Sequence, residues 1–335
     1  MDAKSLRIVY MGTPDFAVMP LRALVESGYN VVAVVTTPDK PAGRGLKVQE
    51  SAVKQYAQAA GLPILQPEKL RDPAFLEALT ALAPDLGIVI AFRMLPQVVW
   101  QLPRLGTFNL HASLLPQYRG AAPINWAIIN GEATTGVTTF LLNAEIDKGA
   151  ILGQRPVAID PEENAGSLHD RLMVAGTELV LESVQKIAAG EVSPIEQAQL
   201  ESGPLREAPK IFKDDCRIRW NDTAAAIHNR IRGLSPYPTA WTELVSANER
   251  IGVKIFAAKM LSDSQESNLS TTPTTHPGAP SGSPGTIHSD NKTFIEVATR
   301  DGALRIDELQ LSGKKRMTTR DFLLGFKEID RYHFE

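Results

Sequence analysis

The sequence has little of what marks several large classes of protein. Its 335 residues include one cysteine, Cys216, which excludes an internal disulfide and any metal site built from several cysteines. We interpret Cys216 as a small packed apolar residue. No apolar run is long enough to span a bilayer, and residues 1–5 lead into a predicted strand rather than into the apolar core of a signal peptide. These absences predict a cytoplasmic protein that does not enter a membrane.

A dinucleotide-binding turn and a strong excess of basic charge are also absent. Gly12-Thr13-Pro14-Asp15 stands after the first predicted strand, where a G-x-G-x-x-G turn would bind a dinucleotide. The net charge of −3 does not by itself indicate nucleic-acid binding. Its distribution is uneven, since residues 1–205 have 16 basic and 21 acidic side chains, whereas residues 206–335 have 19 and 17. The mildly basic second part permits RNA contact.

The length and a hydrophobic content of 43% predict two domains. In the first domain, 1–190, predicted strands alternate with predicted helices. The strands are 7–11, 31–36, 62–65, 85–92 and 108–111, and the helices are 17–27, 51–60, 73–82 and 166–189. This alternation predicts an α/β fold with a doubly wound, mainly parallel sheet.

The pattern changes after a linker, 191–206. Residues 207–335 contain a helical stretch, 223–232, among short strands bounded by turns. The predicted strands are 217–220, 240–244, 252–257, 293–298 and 303–311. They suit a small β-barrel. Residues 262–285 are rich in Ser, Thr, Pro and Gly, and we expect a mobile insertion there.

The most informative segment surrounds Asn109 and His111. Residues 106–111 form a short apolar strand in which these two side chains share a face. Pro116, Gly120 and Pro123 end the strand and impose a rigid loop. A helix at 122–129 and a strand at 137–142 follow, and the next loop contains Asp147. An amide, an imidazole and a carboxylate are therefore expected beyond the carboxyl ends of parallel strands, where ligands bind.

These three groups suit acyl transfer to an amine. When an amine attacks a formyl carbonyl, an Asn amide and an imidazolium stabilise the negative charge on oxygen, and a carboxylate orients the imidazole or relays a proton. A purely structural interpretation stands beside this one. A single His in an apolar strand is usually a hydrogen-bonded core residue, and Asp147 before Lys148-Gly149 is a typical turn residue.

The segment 109–123, together with Asp147, resembles the formyltransferase family that uses 10-formyltetrahydrofolate as the one-carbon donor. The resemblance covers nearly the whole chain, and is closest to members that act on initiator methionyl-tRNA. The segments that carry it are 6–16, 38–45, 109–123, 208–211 and 231–241. It implies a Rossmann-like catalytic domain, an OB-like second domain, no metal, and catalytic positions at Asn109, His111 and Asp147.

The same resemblance implies a folate site and a tRNA surface. Many relatives have Tyr-Gly where this chain has Phe92-Arg93, so the roles of these two side chains are open. The implied folate contacts are Phe92, Arg93, Met94, Leu95, Ser113, Leu114, Leu115, Pro116 and Ala144. The expected tRNA contacts in the basic loop are Lys40, Arg44 and Lys47. In the second domain the candidates for phosphate contact are Lys210, Lys213, Lys314, Lys315 and Arg316, for each of which an ordinary surface charge is the alternative.

The basic loop 36–47 has two interpretations. By composition it is a solvated surface loop, whereas by resemblance it reaches the acceptor end of initiator tRNA, with Arg44 in the key position. We therefore expect a monomeric enzyme that formylates methionyl initiator tRNA for translation initiation. The alternatives are a formyltransferase acting on an amino sugar or a purine-pathway amine, a formyltetrahydrofolate hydrolase, and a catalytically silent tRNA-binding protein.

Overall fold

A computed structural model describes residues 2–42, 47–201, 203–261 and 282–335. The chain forms two compact units that interleave in sequence. The first unit consists of Met1–Pro123, Thr134–Ala158 and His169–Pro209, and the second of Ile124–Ala133, Ile159–Leu168 and Lys210–Glu335. The two short segments Ile124–Ala133 and Ile159–Leu168 therefore belong with the C-terminal part of the chain. The sequence, by contrast, predicts two domains that are each continuous along the chain.

The elements up to residue 210 follow the predicted alternation. The strands are β1 (Ile8–Gly12), β2 (Val31–Val35), β3 (Lys40–Ala42), β4 (Lys47–Gln49), β5 (Ile64–Leu65), β6 (Leu86–Ile90), β7 (Thr107–His111), β8 (Arg119–Gly120), β9 (Thr134–Leu141), β10 (Ile151–Ala158) and β11 (Glu207–Ala208). The helices are α1 (Val18–Glu26), α2 (Ala52–Ala59), α3 (Pro73–Ala81), α4 (Gln97–Trp100), α5 (Pro123–Ile129) and α6 (Ala165–Ala189). Strand β10 was not predicted from the sequence.

The main sheet of the first unit has the strand order β10-β9-β7-β6-β1-β2-β5. Strands β7, β6, β1, β2 and β5 run parallel, while β9 is antiparallel to β7, and β10 to β9. From β1 the chain moves outward to β2 and β5 and then places β6 on the other side of β1. This reversal is the switch point of a doubly wound sheet. The predicted doubly wound, mainly parallel sheet is confirmed.

The central strands are buried on both faces, and side-chain caps begin helices α2 and α3. All residues of β1 and β6 are buried, as continuous apolar runs are in a parallel sheet covered by helices. The Ser51 hydroxyl accepts a hydrogen bond from the Lys54 amide at the start of α2, and the Asp72 carboxylate caps α3. Such caps satisfy amide groups that have no partner within the helix.

The second unit is an antiparallel barrel. Its strands are β12 (Ala240–Val245), β13 (Arg250–Met260), β14 (Ile287–Ser289), β15 (Ile295–Ala298), β16 (Ala303–Leu311), β17 (Met317–Thr318) and β18 (His333–Phe334), and its helices are α7 (Ala224–Leu234) and α8 (Thr319–Gly325). The order is β14-β15-β16-β13-β12-β18, with β17 on β16. The Phe334 amide donates to the Gly285 carbonyl at 2.9 Å beside a bridge between Thr286 and His333, which brings the outer strands together. The predicted small barrel is confirmed.

One predicted strand of the second unit was wrong. Residues 217–220 pair with β12 through the isolated bridge Arg217↔Trp241 and do not form a ladder. Their apolar alternation is real, because Ile218 and Trp220 are buried in the barrel core. Burial of alternate side chains therefore produced a strand-like pattern without extended pairing. Residues 262–281 of the predicted insertion lie outside the described residues.

Candidate active site

Strand β7 presents two chemically different faces. Leu110 points towards α6, where a Cβ added to Gly176 would lie 2.7 Å from Leu110 Cδ2. Asn109 and His111 alternate with Leu110 and therefore project from the opposite face. Strand β9 lies alongside, with Thr138 opposite His111. The prediction that Asn109 and His111 share a face is confirmed by this arrangement.

Asn109 has an unsatisfied hydrogen-bonding group. It lies between Val89 of β6 and Phe140 of β9 in the register of the sheet. Its Oδ1 atom is buried and has no hydrogen-bond partner among the described residues. A buried polar atom without a partner costs about 1–3 kcal/mol. A bound ligand that supplied a donor here would offset this cost, so Asn109 stays a candidate ligand contact.

His111 is held by one ring nitrogen. The side chain is buried, and its Nε2 lies 2.9 Å from the carbonyl oxygen of Tyr118. A carbonyl only accepts hydrogen bonds, so Nε2 must donate and carries the proton. In the neutral imidazole Nδ1 is then the nitrogen that can accept a hydrogen bond.

Asp147 is attached to the same stretch of backbone. Its Oδ2 accepts a hydrogen bond of 3.1 Å from the Gly120 amide, two residues after Tyr118. Asp147 has a left-handed backbone with φ of 53°. The loop turns back tightly, because a Cβ on Gly149 would lie 1.6 Å from the Leu141 carbonyl oxygen. The segment Tyr118–Gly120 thus links His111 to Asp147 through backbone groups.

The loop after β7 is fixed from β9 and β10. The Thr138 hydroxyl donates to the Ser113 carbonyl at 2.6 Å and accepts from the Leu115 amide at 3.1 Å. Gln154 Nε2 donates to the Leu115 carbonyl at 2.7 Å, and Ser113 Oγ donates to the Gln117 carbonyl at 2.6 Å. The Ser113 hydroxyl is therefore engaged within the loop itself. Sequence reasoning identified neither Thr138 nor Gln154 as part of this site.

The loop after β6 leaves the same edge of the sheet. Ala91 has φ of 46°, and Phe92 packs against the apolar core beneath it. The Arg93 guanidinium donates to the carbonyls of Pro67 and Glu68, the latter at 2.8 Å. Arg93 thus anchors the loop from outside, which gives its side chain a structural role. Of the other predicted folate contacts, Leu95, Ser113, Leu115 and Pro116 are buried, Leu114 is half-buried, and Met94 and Ala144 are exposed.

The base of the basic loop 36–47 is tightly anchored. The Asp39 carboxylate pairs with the buried Lys54 ammonium and accepts from Gln66 Nε2 at 2.9 Å. Lys54 also pairs with Glu50 at 2.9 Å. The hydrogen bonds from Lys54 and Gln66 lower the pKa of Asp39, and those to Asp39 and Glu50 raise the pKa of Lys54. Beyond this base Lys40 is exposed. Arg44 and the side chain of Lys47 lie outside the described residues.

The predicted basic residues of the second unit have three kinds of surroundings. Lys210 Nζ lies 5.4 Å from the ring centroid of Phe212, which is 62% exposed, and Lys213 Nζ lies 5.7 Å from that of Trp241. Arg316 is ion-paired with Glu308. Lys314 and Lys315 are exposed. The exposed aromatic neighbour of Lys210 was not identified from the sequence.

The described part of the chain has no group of three or more His, Cys, Asp or Glu side chains that could hold a metal ion. Within that same part, no helix is both long and apolar enough to cross a membrane.

Family models match both parts of the chain. The formyl transferase model matches residues 6–184, and the formyl transferase C-terminal domain model matches residues 210–327. The chain belongs to the formyl transferase family. This formyltransferase is 56% identical to methionyl-tRNA formyltransferase of Parabacteroides distasonis and 54% identical to that of Bacteroides thetaiotaomicron, over 99% of each chain in both cases.

A solved structure shares the fold. The N-formyltransferase from Helicobacter canadensis, in complex with folinic acid and dTDP-3-aminofucose, matches with a TM-score of 0.63 and 19% identity, covering 93% of this formyltransferase and all of that chain. Family membership confirms that the chain is a transferase enzyme with formyl-tetrahydrofolate as co-substrate. The roles predicted for individual residues stay predictions.

Proposed function

We propose that this formyltransferase moves the formyl group of 10-formyltetrahydrofolate to the α-amine of methionine esterified to initiator tRNA. The product is N-formylmethionyl-tRNA, which serves translation initiation. The observation that carries this conclusion is the full-length identity of 54–56% to relatives named methionyl-tRNA formyltransferase. The amino-sugar, purine-pathway and hydrolase alternatives are not favoured, because these relatives match over both units of the chain. The silent binding protein is not favoured for the same reason.

The reaction needs one nucleophilic attack and one proton transfer. The amine nitrogen bonds to the formyl carbon, and the carbonyl oxygen takes on negative charge. The bond from carbon to N10 of the folate then breaks, and the proton lost by the amine ends on N10. The enzyme must therefore stabilise an oxyanion and move one proton.

Asn109 supplies hydrogen bonds to the reacting groups. The unpartnered Oδ1 is suited to accept a hydrogen from the attacking amine, while Nδ2 donates to the developing oxyanion. Loss of one donor of this kind costs about 10²–10³ in turnover. The Asn109 side chain thus hydrogen-bonds to both the attacking amine and the carbonyl oxygen, and holds the two reacting groups together.

His111 and Asp147 complete the catalytic group. Since Nε2 donates to the Tyr118 carbonyl, protonated Nδ1 is the donor that His111 offers to the oxyanion, and neutral Nδ1 is the base. The Asp147 carboxylate favours the imidazolium and helps to move the amine proton. Its contact with the Gly120 amide keeps it beside the loop that holds His111.

The folate lies against the loops after β6 and β7. These two strands are parallel neighbours, so their loops form adjacent walls. Their residues offer backbone groups to the pterin, because the side chains of Arg93 and Ser113 are engaged within the protein. Exposed Met94 and Ala144 remain available for apolar contact with the donor.

The tRNA contacts come from the basic loop 36–47 and from the second unit. Asp39 and Lys54 fix the base of the loop, and Arg44 reaches the acceptor end. Lys210 and Lys213 contact phosphates while their aromatic neighbours stack on unpaired bases. Because tRNA is charged and used in the cytoplasm, we place the enzyme there, acting as a monomer.

The direct test is formyl transfer from 10-formyltetrahydrofolate to charged initiator tRNA, with elongator methionyl-tRNA and free methionine as parallel acceptors. We expect rapid transfer that is selective for the initiator. Formate release, or formylation of another amine without transfer to tRNA, would refute the proposed acceptor and leave the folate site standing.

The residue roles have their own test. His111→Asn is expected to lower single-turnover transfer by about 10²–10⁴ with tRNA affinity unchanged. Arg44→Ala is expected to do the reverse, weakening tRNA binding while saturating tRNA restores the rate. A His111 variant that loses tRNA affinity and transfers formyl normally once bound would remove His111 from the catalytic group.

A further inference from the structure

The segment predicted as a linker, 191–206, contributes to the first unit's catalytic loops. Ile195 and Ile151 exchange two backbone hydrogen bonds of 2.8 and 2.9 Å. Further along, the Tyr118 amide donates to the Arg206 carbonyl at 2.7 Å. The segment is therefore fastened to the body of the first unit on both sides of a buried residue, Gln197.

We infer that Gln197 is a positioning residue for the formyl transfer, an inference that rests on the proposed role of Asp147. Gln197 is 2% exposed. Its Nε2 donates to the Asp147 carbonyl at 2.8 Å and to the Gly149 carbonyl at 2.9 Å. Its Oε1 accepts from Arg119 Nε at 3.0 Å and from Nη2 at 2.7 Å. The carboxamide uses both of its donor hydrogens and its acceptor oxygen.

These bonds join the two sides of one contact. Asp147 Oδ2 accepts from the Gly120 amide, and Arg119 is the residue directly before Gly120. The Nε2 end of the Gln197 carboxamide therefore binds the backbone of Asp147. The Oε1 end binds Arg119, which directly precedes the Gly120 amide. One buried side chain thus contacts both sides of the hydrogen bond between the Asp147 carboxylate and the Gly120 amide.

The loop needs such an attachment because of its backbone. Asp147 adopts a left-handed conformation, which is uncommon for residues other than glycine and which Asp tolerates at a smaller cost than most. The carbonyls of Asp147 and Gly149 that accept from Gln197 lie in this turn. Without those bonds the turn is free to relax towards ordinary backbone angles, and the carboxylate moves away from Gly120. A displacement of about 1 Å in a catalytic group costs up to about 10² in rate.

The test compares Gln197→Met, which keeps the length of the side chain, with Gln199→Met as a matched control. Gln197 and Gln199 are the first and last residues of a short 3₁₀ helix, and Gln199 is exposed. In the full-length enzyme we expect Gln197→Met to lower kcat by about 10- to 100-fold, with KM for the folate donor and affinity for tRNA within twofold of the parent. Gln199→Met is expected to leave kcat unchanged.

Hydrogen exchange of the Gly120 amide gives a readout that does not depend on activity. Its partner is the Asp147 carboxylate, so faster exchange at Gly120 in Gln197→Met, with unchanged exchange in the central strands β1 and β6, reports a displaced Asp147. Gln197→Glu keeps the acceptor for Arg119 and loses the donors to the loop, so it is expected to behave like Gln197→Met. Gln197→Glu also allows the test to be made if Gln197→Met does not fold.

A folded Gln197→Met or Gln197→Glu enzyme with parental kcat and parental Gly120 protection would overturn the inference. So would a loss confined to thermal stability, with kcat per folded molecule intact. Failure of the parent enzyme to formylate tRNA would instead refute the proposed function, and the exchange measurement would still decide whether Gln197 positions Asp147.

Discussion

Replacement of Asn109 by leucine is expected to stabilise the free enzyme and to abolish most of its activity. Leucine has the same branching as asparagine but no polar atoms. In the free protein Asn109 Oδ1 is buried without a partner among the described residues, so Asn109→Leu removes a desolvation cost of about 1–3 kcal/mol. The same change removes the hydrogen bonds proposed for the reacting amine and the oxyanion.

The two effects have predictable sizes. For a unit of this length, about 1 kcal/mol shifts the melting temperature by roughly 2–4 °C, so the expected rise in Tm is roughly 2–12 °C. Loss of one oxyanion donor costs about 2.7–4 kcal/mol, which lowers single-turnover formyl transfer by about 10²–10³. Thermal unfolding followed by circular dichroism and a quenched-flow transfer assay measure the two quantities separately.

Thr135→Val is the matched control. Thr135 is buried in β9, and its hydroxyl is also without a partner among the described residues. We expect this variant to gain stability and to keep its activity. A fall in Tm for Asn109→Leu, alongside a rise for Thr135→Val, would show that Oδ1 is hydrogen-bonded in solution and would refute the reasoning.

Three further outcomes are expected. Burial lowers the pKa of His228 from 6.5. The unfolded chain therefore takes up a proton at a higher pH than the folded chain does, and the second unit loses stability as the pH falls below 6.5. In His228→Gln we expect the urea midpoint of unfolding to change less between pH 7 and pH 5. Gly149→Ala should eliminate transfer and lower Tm, because its Cβ would overlap a carbonyl oxygen, whereas Gly325→Ala, which meets nothing within 4 Å, should not. Replacing Lys210 and Lys213 by alanine should reduce the slope of log tRNA affinity against log salt by about 0.7–0.9 for each phosphate that these lysines neutralise, and an unchanged slope would exclude them from the interface.

The sequence predicted the main sheet of the first unit well, because the apolar pattern of its strands matches their burial in the fold. Apolar runs such as those of β1 and β6 are buried on both faces and end at glycine or at a turn. The sequence pattern was misleading where side chains are buried without strand pairing. Ile218 and Trp220 are buried in the barrel core, but their segment pairs with β12 through one bridge only. Strand β10 was missed because Gly153-Gln154-Arg155-Pro156 interrupts its apolar residues with types that are uncommon inside a strand.

The residues of the candidate site were predictable to the extent that they are local. Asn109 and His111 stand two apart on one strand, and the period of the strand places them together. Gln197 lies far from Asp147 in sequence, in a polar stretch without periodicity, and no local pattern indicates that it is buried. Its contacts depend on how the chain returns after α6, which spacing alone does not reveal.

The interleaving of the two units constrains the order in which the protein takes shape during synthesis. Asn109 and His111 leave the ribosome early, but Tyr118 and Gly120 acquire their backbone partners only once Arg206 and Ala208 have been made. Residues 124–133 and 159–168 must wait longer still for the rest of the second unit. The loop of the candidate site therefore stays incomplete in the nascent chain until most of the first unit has been made. The barrel cannot close before the C-terminal strand is released.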